Sequence, residues 1–328
     1  MCTAICATDR QGEYRLFGRT LDLEYSLGEN VVLTPRNYRF SYQKESESAG
    51  GLALLGVAYV YDGVPLYYDA INEAGLGMAA LNFPDCAVYH RPRAGMRNIA
   101  SFELLPWVLR QCRTLEEAVL LLSEVNITSD AISKNLPSTP LHWMLADKSG
   151  AVALEPTAQG LEIHLDRAGV LTNSPELGYH LYHTSDFMKL TPRPPKNLLC
   201  PDVDIPVYSR GLGGVGLPGD YSSASRFVRA VFCNTHTAHG ETDSEEVSRF
   251  FHVMDSVATP SGCVVAENGK KVSTVYTSCA DLDSCIYYFT TYQCRRIRGV
   301  KMKDADKNAS SLIAYPMTGG EDILMLGT

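Results

Sequence analysis

Apolar and polar positions alternate along most of the chain, in short runs that are rich in β-branched and aromatic residues and end at Gly, Asp, Asn or Pro. Alternation with a period of two is typical of β-strands that bury one face. The pattern therefore predicts a protein dominated by sheet. The predicted strands are residues 2–8, 14–20, 30–34, 52–61, 66–71, 76–81, 141–146, 151–155, 161–165, 169–172, 273–279, 285–292 and 295–302.

Helical periodicity is confined to a few stretches of the chain. Residues 114–117 (TLEE) and 242–245 (TDSE) have the capping-box pattern, and each precedes apolar residues at the spacing of a buried helix face. Residues 101–112 and 222–232 predict two more helices. The first of these contains Pro106, so it must kink or begin later than its pattern suggests.

The order of the elements predicts the fold class. Many strands and few helices follow one another without βαβ regularity, and residues 273–279 and 285–293 are typical of a hairpin around the five residues ADLDS. This mixture favours the α+β class, with antiparallel sheet and helices in separate layers. Since no repeat and no linker-like change of composition divides the chain, we expect one domain over residues 1–328.

One long segment follows neither the strand period nor the helix period. Residues 190–220 (LTPRPPKNLLCPDVDIPVYSRGLGGVGLPGD) are dense in Pro and Gly. Segments of this length without regular structure are uncommon in compact domains and usually carry a function or an interaction. We therefore expect a surface excursion that binds something.

Composition and charge exclude several classes of partner. The 328 residues include 29 Lys and Arg against 37 Asp and Glu, a net charge of −8, so no basic surface attracts a nucleic acid. No stretch approaches the roughly 18 apolar residues of a membrane span. Asp9, Arg10 and Glu13 stand where a signal peptide would be apolar. We expect a cytoplasmic protein that contacts neither membrane nor nucleic acid.

The 10 cysteines and 8 histidines have no metal-binding spacing. His180 and His183, like His236 and His239, lack acidic or Cys ligands at suitable distances along the chain. We expect reduced, mostly buried cysteines and surface or hydrogen-bonded histidines, with no metal. The GxGxxG match at residues 211–216 follows no clear apolar strand and therefore does not predict a dinucleotide site.

The strongest chemical signal lies at the start of the chain, where Cys2 follows the initiator Met. If Met1 is removed, this residue carries both a thiol and a free α-amine. An α-amine, with a reference pKa of roughly 7.7–8.0, can accept a thiol proton near neutral pH. Arg19 would favour the thiolate and Asp22 would hold the ammonium. A chance cysteine and an ion pair on a solvated turn are the alternatives that these residues alone leave open.

Several blocks of sequence, in order from residue 2 to beyond residue 290, give the chain a resemblance to a known family. They are Cys2-Thr-Ala-Ile, Phe17-Gly-Arg19-Thr-Leu-Asp22, Asn72-Glu-Ala-Gly-Leu-Gly-Met, Leu81-Asn82-Phe-Pro, Leu141-His-Trp, Leu171-Thr-Asn173-Ser-Pro, and Gly216-Leu-Pro-Gly-Asp220 through Ser225-Arg226-Phe. The chain resembles the choloylglycine hydrolases and, within them, the bile salt hydrolases of gut bacteria. Independent blocks in one order make chance a poor explanation.

The resemblance implies an N-terminal-nucleophile hydrolase with an αββα sandwich, in which two antiparallel sheets lie between helix layers. Such an enzyme would hydrolyse the amide bond of glycine- or taurine-conjugated bile acids and would need no cofactor. Cys2 would be the nucleophile and, through its amine, the base, with Arg19 tuning the thiol and Asp22 orienting the amine. The remaining site residues would be Asn82, Asn173 and Arg226. The carboxamide of Asn173 would help to hold the tetrahedral oxyanion.

Three alternatives remain open at the level of sequence. A penicillin V acylase would have the same catalytic set and a different pocket. A binder of amphipathic anions would have the same fold with a blocked N-terminus, because a retained Met1 leaves Cys2 without a free amine. For residues 190–220, the resemblance implies an assembly loop of a homotetramer, and the alternative is a lid that folds over its own active site.

Overall fold

The computed structural model describes residues 1–46 and 48–327. Within them the strands are β1 (Cys2–Thr8), β2 (Tyr14–Leu23), β3 (Asn30–Thr34), β4 (Arg39–Phe40), β5 (Ser48–Ala49), β6 (Leu54–Tyr61), β7 (Val64–Asn72), β8 (Gly77–Asn82), β9 (Arg97–Ala100), β10 (Val125–Thr128), β11 (Leu141–Asp147), β12 (Gly150–Thr157), β13 (Gly160–Leu165), β14 (Val170–Leu171), β15 (Val264–Val265), β16 (Lys271–Asp281), β17 (Ile286–Thr291), β18 (Cys294–Lys301) and β19 (Ile313–Pro316). The α-helices are α1 (Leu104–Leu109), α2 (Leu115–Leu122), α3 (Leu177–His183), α4 (Ser223–His236) and α5 (Asp243–Asp255).

Most strands belong to two large sheets, in which every neighbouring pair is antiparallel. Among the described residues, one sheet has seven strands in the order β14-β1-β2-β16-β17-β18, with β15 paired to β16. The other has eight strands in the order β13-β12-β11-β8-β7-β6-β3-β19. The antiparallel sheets that the sequence predicts are confirmed.

The two sheets pack face to face, and helices cover the outer face of each. On β11, Trp143 and Met144 are both fully buried but belong to different hydrophobic clusters, because successive strand side chains point to opposite faces. Met144 lies in the cluster between the sheets and below α4 and α5, and Trp143 lies in the cluster below α1 and α2. This is the αββα sandwich that the resemblance implies.

Every predicted strand overlaps an observed one, and the predicted hairpin forms between β16 and β17. Strand β16 extends two residues closer to the turn than predicted, to Asp281, whereas β17 begins one residue later than predicted, at Ile286. The predicted strands leave out β4, β5, β9, β10, β15 and β19, and the predicted helices leave out α3. These elements are two to seven residues long, too short for either period to stand out.

The predicted helices are confirmed with shifted ends. Helix α1 begins at Leu104, which places Pro106 in its first turn, where a missing N–H is tolerated. The capping box of α5 forms completely at Thr242. At α2, Thr114 caps the helix, while the Glu117 carboxylate accepts from the main-chain N–H of Arg113 instead. No helix among the described residues is long and apolar enough to cross a membrane.

The segment from residue 188 to residue 222 connects the helices α3 and α4. Within the described chain its regular structure is one short 3₁₀ helix at Leu212–Gly214. Leu199 and Tyr208 expose 92% and 86% of their surface. The predicted surface excursion is confirmed, and its apolar side chains face solvent rather than the rest of the chain.

Candidate active site

Cys2 is buried at the beginning of β1, where it pairs with Leu21 of β2. Met1 continues this pairing, since its amine donates to the main-chain carbonyl of Asp22 at 2.8 Å and its carbonyl accepts from the Asp22 N–H at 3.0 Å. The Cys2 nitrogen is therefore a peptide N–H, which donates to Oδ1 of Asn173 at 2.8 Å. Removal of Met1 would turn this nitrogen into the α-amine of Cys2.

Arg226, near the start of α4, connects three parts of the chain. Its Nη1 donates to the carbonyl of Cys2 and to Oγ1 of Thr3 (2.6 Å), and its Nη2 donates to Oδ1 of Asn173 at 2.6 Å. Its Nε donates to the carbonyl of Tyr221 at 3.0 Å. Burial lowers the pKa of this guanidinium, which has no exposed surface. The buried Arg226 side chain therefore links α4 to β1 and to Asn173.

Arg19 lies on the same face of the sheet as the side chain of Cys2, opposite the face that Arg226 contacts at Thr3. Ala4 pairs with Arg19 as Cys2 pairs with Leu21, so these side chains lie on the face that meets the second sheet. There Nη1 of Arg19 donates to the carbonyls of Tyr68 (3.0 Å) and Ala80. Burial alone would lower the pKa of Arg19, but the charges of Cys2 and of nearby acidic groups more than offset it and raise the pKa. The guanidinium stays charged.

Asp22 is fully buried on the opposite face of β2, the face that the helices cover. Its Oδ1 accepts from Oγ1 of Thr274 at 2.5 Å, and its Oδ2 accepts from Oγ1 of Thr20 at 3.3 Å. The main-chain N–H and carbonyl of Asp22 are both hydrogen-bonded to Met1. Two hydroxyl donors therefore fix the carboxylate of a residue whose main chain is hydrogen-bonded to Met1.

Asn173 and Asn82 lie in contact, but only one of them directs its side chain into the site. Oδ1 of Asn173 accepts from both Cys2 and Arg226, so the opposite atom must be the amide nitrogen, which donates to the main-chain carbonyl of Asn82 at 2.7 Å. Asn173 is buried, whereas the side chain of Asn82 at the end of β8 is exposed. The two asparagines thus take part through different groups.

Sequence reasoning missed the residues that hold Asn173 in place. The Asn173 N–H donates to Oγ of Ser223 at 2.9 Å, and Nε2 of His180 lies 2.9 Å from the Asn173 carbonyl. Burial lowers the pKa of His180, which favours the neutral ring. Ser223 follows the N-cap residue Ser222, and this serine pair at a helix start was the available signal. The expectation of a hydrogen-bonded histidine holds at His180.

The cysteines are free, as expected, but they are less buried than expected. Cys2, Cys6, Cys112, Cys279 and Cys294 are buried, Cys86, Cys233 and Cys285 are half-buried, and Cys200 and Cys263 are exposed. Among the described residues, no group of three His, Cys, Asp or Glu side chains is placed to hold a metal ion. The GxGxxG match forms part of the exposed segment that precedes α4 rather than a strand-to-helix turn.

Comparisons with known proteins agree with this geometry. Residues 2–315 match the model of the linear amide C–N hydrolases, choloylglycine hydrolase family. The chain is 39% identical over 317 residues to a bile salt hydrolase/transferase of Lactiplantibacillus plantarum, covering 97% of each protein. Its fold is similar to that of a variant of the conjugated bile acid hydrolase from Clostridium perfringens, with a TM-score of 0.92, 32% identity and coverage of 99% and 100% of the two chains.

A penicillin V acylase from Agrobacterium tumefaciens has a similar fold, with a TM-score of 0.77. Its identity is 21%, over 97% of this chain and 92% of the acylase, so this likeness concerns the fold alone. The family model and the full-length relative go further, because they match the sequence from Cys2 through the last strands. The chain belongs to the choloylglycine hydrolase family of linear amide C–N hydrolases.

Proposed function

We propose that this protein is a conjugated bile salt hydrolase that cleaves the amide bond of glycine- or taurine-conjugated bile acids. The observation that carries the proposal is the burial of Cys2 between the guanidinium groups of Arg19 and Arg226. In addition, the Cys2 nitrogen donates a hydrogen bond to Oδ1 of Asn173. The relatives named as bile salt and conjugated bile acid hydrolases, at 33% to 39% identity, support the substrate class.

The nucleophile is the thiol of Cys2 after removal of Met1. The freed amine takes the thiol proton, and Arg19 favours the thiolate by its positive charge. Asp22, held by two hydroxyl donors, stabilises the ammonium that forms. Oδ1 of Asn173 accepts a hydrogen bond from the Cys2 nitrogen. The lone pair of the neutral amine can therefore point away from Asn173 and toward the thiol.

The oxyanion is stabilised by Asn173. An amide nitrogen carries two hydrogens, and one of those on Nδ2 donates to the carbonyl of Asn82. The second donates to the oxyanion of the tetrahedral intermediate. One preorganised donor at this place contributes roughly 2.7–4 kcal/mol to transition-state stabilisation. The main-chain carbonyl of Asn82 orients the Asn173 carboxamide by accepting a hydrogen bond from its Nδ2. Arg226 donates to Oδ1 of the same carboxamide.

Hydrolysis proceeds in two steps. The thiolate attacks the amide carbon, and collapse of the intermediate breaks the C–N bond, leaves a thioester on Cys2 and releases glycine or taurine with the proton held by the ammonium. Water then attacks the thioester, gives its proton to the amine, and releases the bile acid. The cycle consumes one water and regenerates the thiol, so no cofactor enters it.

The same catalytic set could serve a penicillin V acylase, and the fold could serve as a binder if Met1 stayed in place. The full-length relatives favour bile salts over penicillin. A retained Met1 would block the amine, because the Cys2 nitrogen is then a peptide N–H, which cannot accept the thiol proton. Activity therefore depends on removal of Met1.

Residues 1–328 form one catalytic domain in this proposal, and residues 190–220 are the assembly loop of a homotetramer. The support is the exposure of Leu198, Leu199 and Tyr208, because apolar side chains in water favour burial against another subunit. A lid over the own active site would bury these side chains within one chain. The cytoplasm is the proposed location, where free cysteines stay reduced.

The test combines the N-terminus with substrate turnover. Mass spectrometry should find a chain that begins at Cys2, and this protein should release glycine or taurine from conjugated bile acids much faster than it cleaves penicillin V. Cys2→Ser should abolish turnover, whereas Cys200→Ser, which changes an exposed thiol, should retain it. Faster cleavage of penicillin V would favour the acylase, and bile-salt binding without turnover by a chain that retains Met1 would favour the binder.

A further inference from the structure

A buried carboxylate that the reaction does not use lies between the two sheets behind Arg19. Asp69 of β7 accepts three hydroxyl hydrogen bonds from the facing sheet. The donors are Tyr276 at 2.5 Å, Ser278 at 2.9 Å and Tyr287 at 2.5 Å. Asp69 and its three partners are all essentially without exposed surface. These three donors favour the ionised form of the carboxyl, against the burial that raises its pKa.

This cluster is connected to Arg19 by direct contacts. Oγ of Ser278 accepts from the main-chain N–H of Arg19 at 3.1 Å and donates to Oδ2 of Asp69. The Arg19 guanidinium donates to the carbonyl of Tyr68, the residue before Asp69. Its Nη2 is buried and has no hydrogen-bond partner among the described residues. The position of Arg19 therefore depends on the strand that carries Asp69.

The charges around Cys2 explain what such a carboxylate could do. Two fully buried guanidiniums, Arg19 and Arg226, lie on either side of Cys2, and Asp22 lies on the face of Arg226. On the face of Arg19, the carboxylate is Asp69. Without it, the Arg19 guanidinium would have main-chain carbonyls as its hydrogen-bond partners and no carboxylate on its own face of the sheet.

We propose that Asp69 is a positioning residue of the amidase: its carboxylate holds Arg19 in place and limits the positive potential at the Cys2 thiol. The inference rests on the proposed role of Cys2 as nucleophile. A guanidinium without its counter-ion would over-stabilise the thiolate, and a thiolate that is too stable is a weaker nucleophile. Asp69 thus keeps the thiol reactive near neutral pH.

Several other groups act on the same electrostatics and must be considered in a pH experiment. Burial raises the pKa of Asp69, while Arg19 and the three hydroxyl donors oppose that rise. The titratable and charged groups that face Cys2, Arg19 or Asp69 come from both sheets and from α4. They are Cys2, Arg19, Asp22, Tyr68, Asp69, Tyr276, Tyr287 and Arg226.

The experiment measures the rate of alkylation of Cys2 by iodoacetamide against pH in Met1-free protein. The N-terminal peptide is followed by mass spectrometry, because Cys200 and Cys263 are exposed and also react. Asp69→Asn should move the midpoint of the rate profile to lower pH by about 0.5–1 unit. It should also reduce the limiting alkylation rate and lower kcat/KM by about tenfold.

A second variant covers the case in which Asp69→Asn does not fold. Tyr287→Phe removes one donor to Asp69 without touching Arg19, and should shift the midpoint in the same direction by less. The matched control is Tyr67→Phe, which removes a buried hydroxyl that contacts Thr34 and the carbonyl of Val32, and should leave the profile unchanged. An unmoved midpoint in folded Tyr287→Phe, or an equal shift in Tyr67→Phe, would overturn the proposal. Alkylation needs no bile salt, so the pH profile of Cys2 alkylation tests the proposal even if the substrate assignment is wrong.

Discussion

The residues around Cys2 and the segment at residues 188–222 differ in solvent exposure: the former are buried and the latter is largely exposed. Arg19, Asp22 and Arg226 have no exposed surface, and, apart from Nη2 of Arg19, their side-chain polar atoms are hydrogen-bonded within the described chain. The segment instead holds large apolar side chains in solvent. One chain is therefore enough to bury the groups around Cys2, whereas a second surface would be required to bury the apolar side chains of the segment.

The two regions meet at the start of α4. The carbonyl of Tyr221, at the end of the segment, accepts from Nε of Arg226, and Arg229 donates to the carbonyls of Pro218 and Asp220. Hydrogen bonds from Ser222 and Ser225 lower the pKa of Asp220 to about 2 and keep it ionised at the helix start. The following substitutions test whether the two regions can be changed separately.

The largest effect is expected from Arg226→Lys, which keeps the net charge but loses the planar fork that reaches Cys2, Thr3 and Asn173 together. We expect kcat/KM to fall by about 10²–10³-fold. Arg229→Lys, one turn along the same helix and bonded to carbonyls outside the centre, is the matched control and should fall much less. Equal losses would mean that the fork at Arg226 has no special role.

The resemblance implies that both Asn82 and Asn173 are site residues, but their substitutions should have different effects on activity. Asn173→Ala removes the buried carboxamide and should reduce kcat by about 10²–10³-fold. Asn82→Ala keeps the main-chain carbonyl that accepts from Asn173, so steady-state kinetics should show a loss below about tenfold. A larger loss in Asn82→Ala than in Asn173→Ala would reverse the roles that we propose.

Replacement of residues 192–208 by a short Gly/Ser linker tests the other side of the comparison. It removes Leu198, Leu199 and Tyr208 and leaves the hydrogen bonds of Arg226 in place. Light scattering should find a smaller assembly, and the variant should keep part of its activity. An unchanged mass together with altered substrate selectivity would instead support a lid.

The smallest effect is expected at Asp166, in the turn between β13 and β14 that leads to Asn173. Burial raises the pKa of Asp166 to about 7, and its Oδ2 has no hydrogen-bond partner among the described residues. Because the folded state binds this proton more tightly than the unfolded state, its contribution to stability is present below about pH 4 and is lost as the pH rises to about 7.

Asp166→Asn should therefore be more stable than wild type at pH 8, by roughly 2 kcal/mol, with no gain near pH 4. Urea denaturation at both pH values measures the difference. The control is Asp204→Asn, at an exposed position of the segment, which should show no such pH dependence. A gain at pH 4 as large as at pH 8 would rule out proton binding as the cause.

Much of the fold could be predicted from local patterns. The strands β1, β3 and β11 follow runs whose period and end signals are contained within a few residues, and the capping box at Thr242 marks the start of α5. Each of these signals acts between neighbours in sequence, so the amino acids alone carry it. The short strands and α3 were not predicted, because elements of two to seven residues are too short for either period to stand out.

The sequence by itself determined that Cys2 is a candidate nucleophile, and, through the resemblance, it identified the family and predicted six site residues. Only the tertiary structure decided which groups of those residues meet. Arg226 reaches Cys2 across 224 positions, and Asp69 receives its donors from residues 207 to 218 positions away. Such contacts depend on strand register and on how the sheets and helices pack, which also bury the side chain of Asn173 and expose that of Asn82. No local sequence pattern encodes these contacts, because they join residues that are distant in the chain.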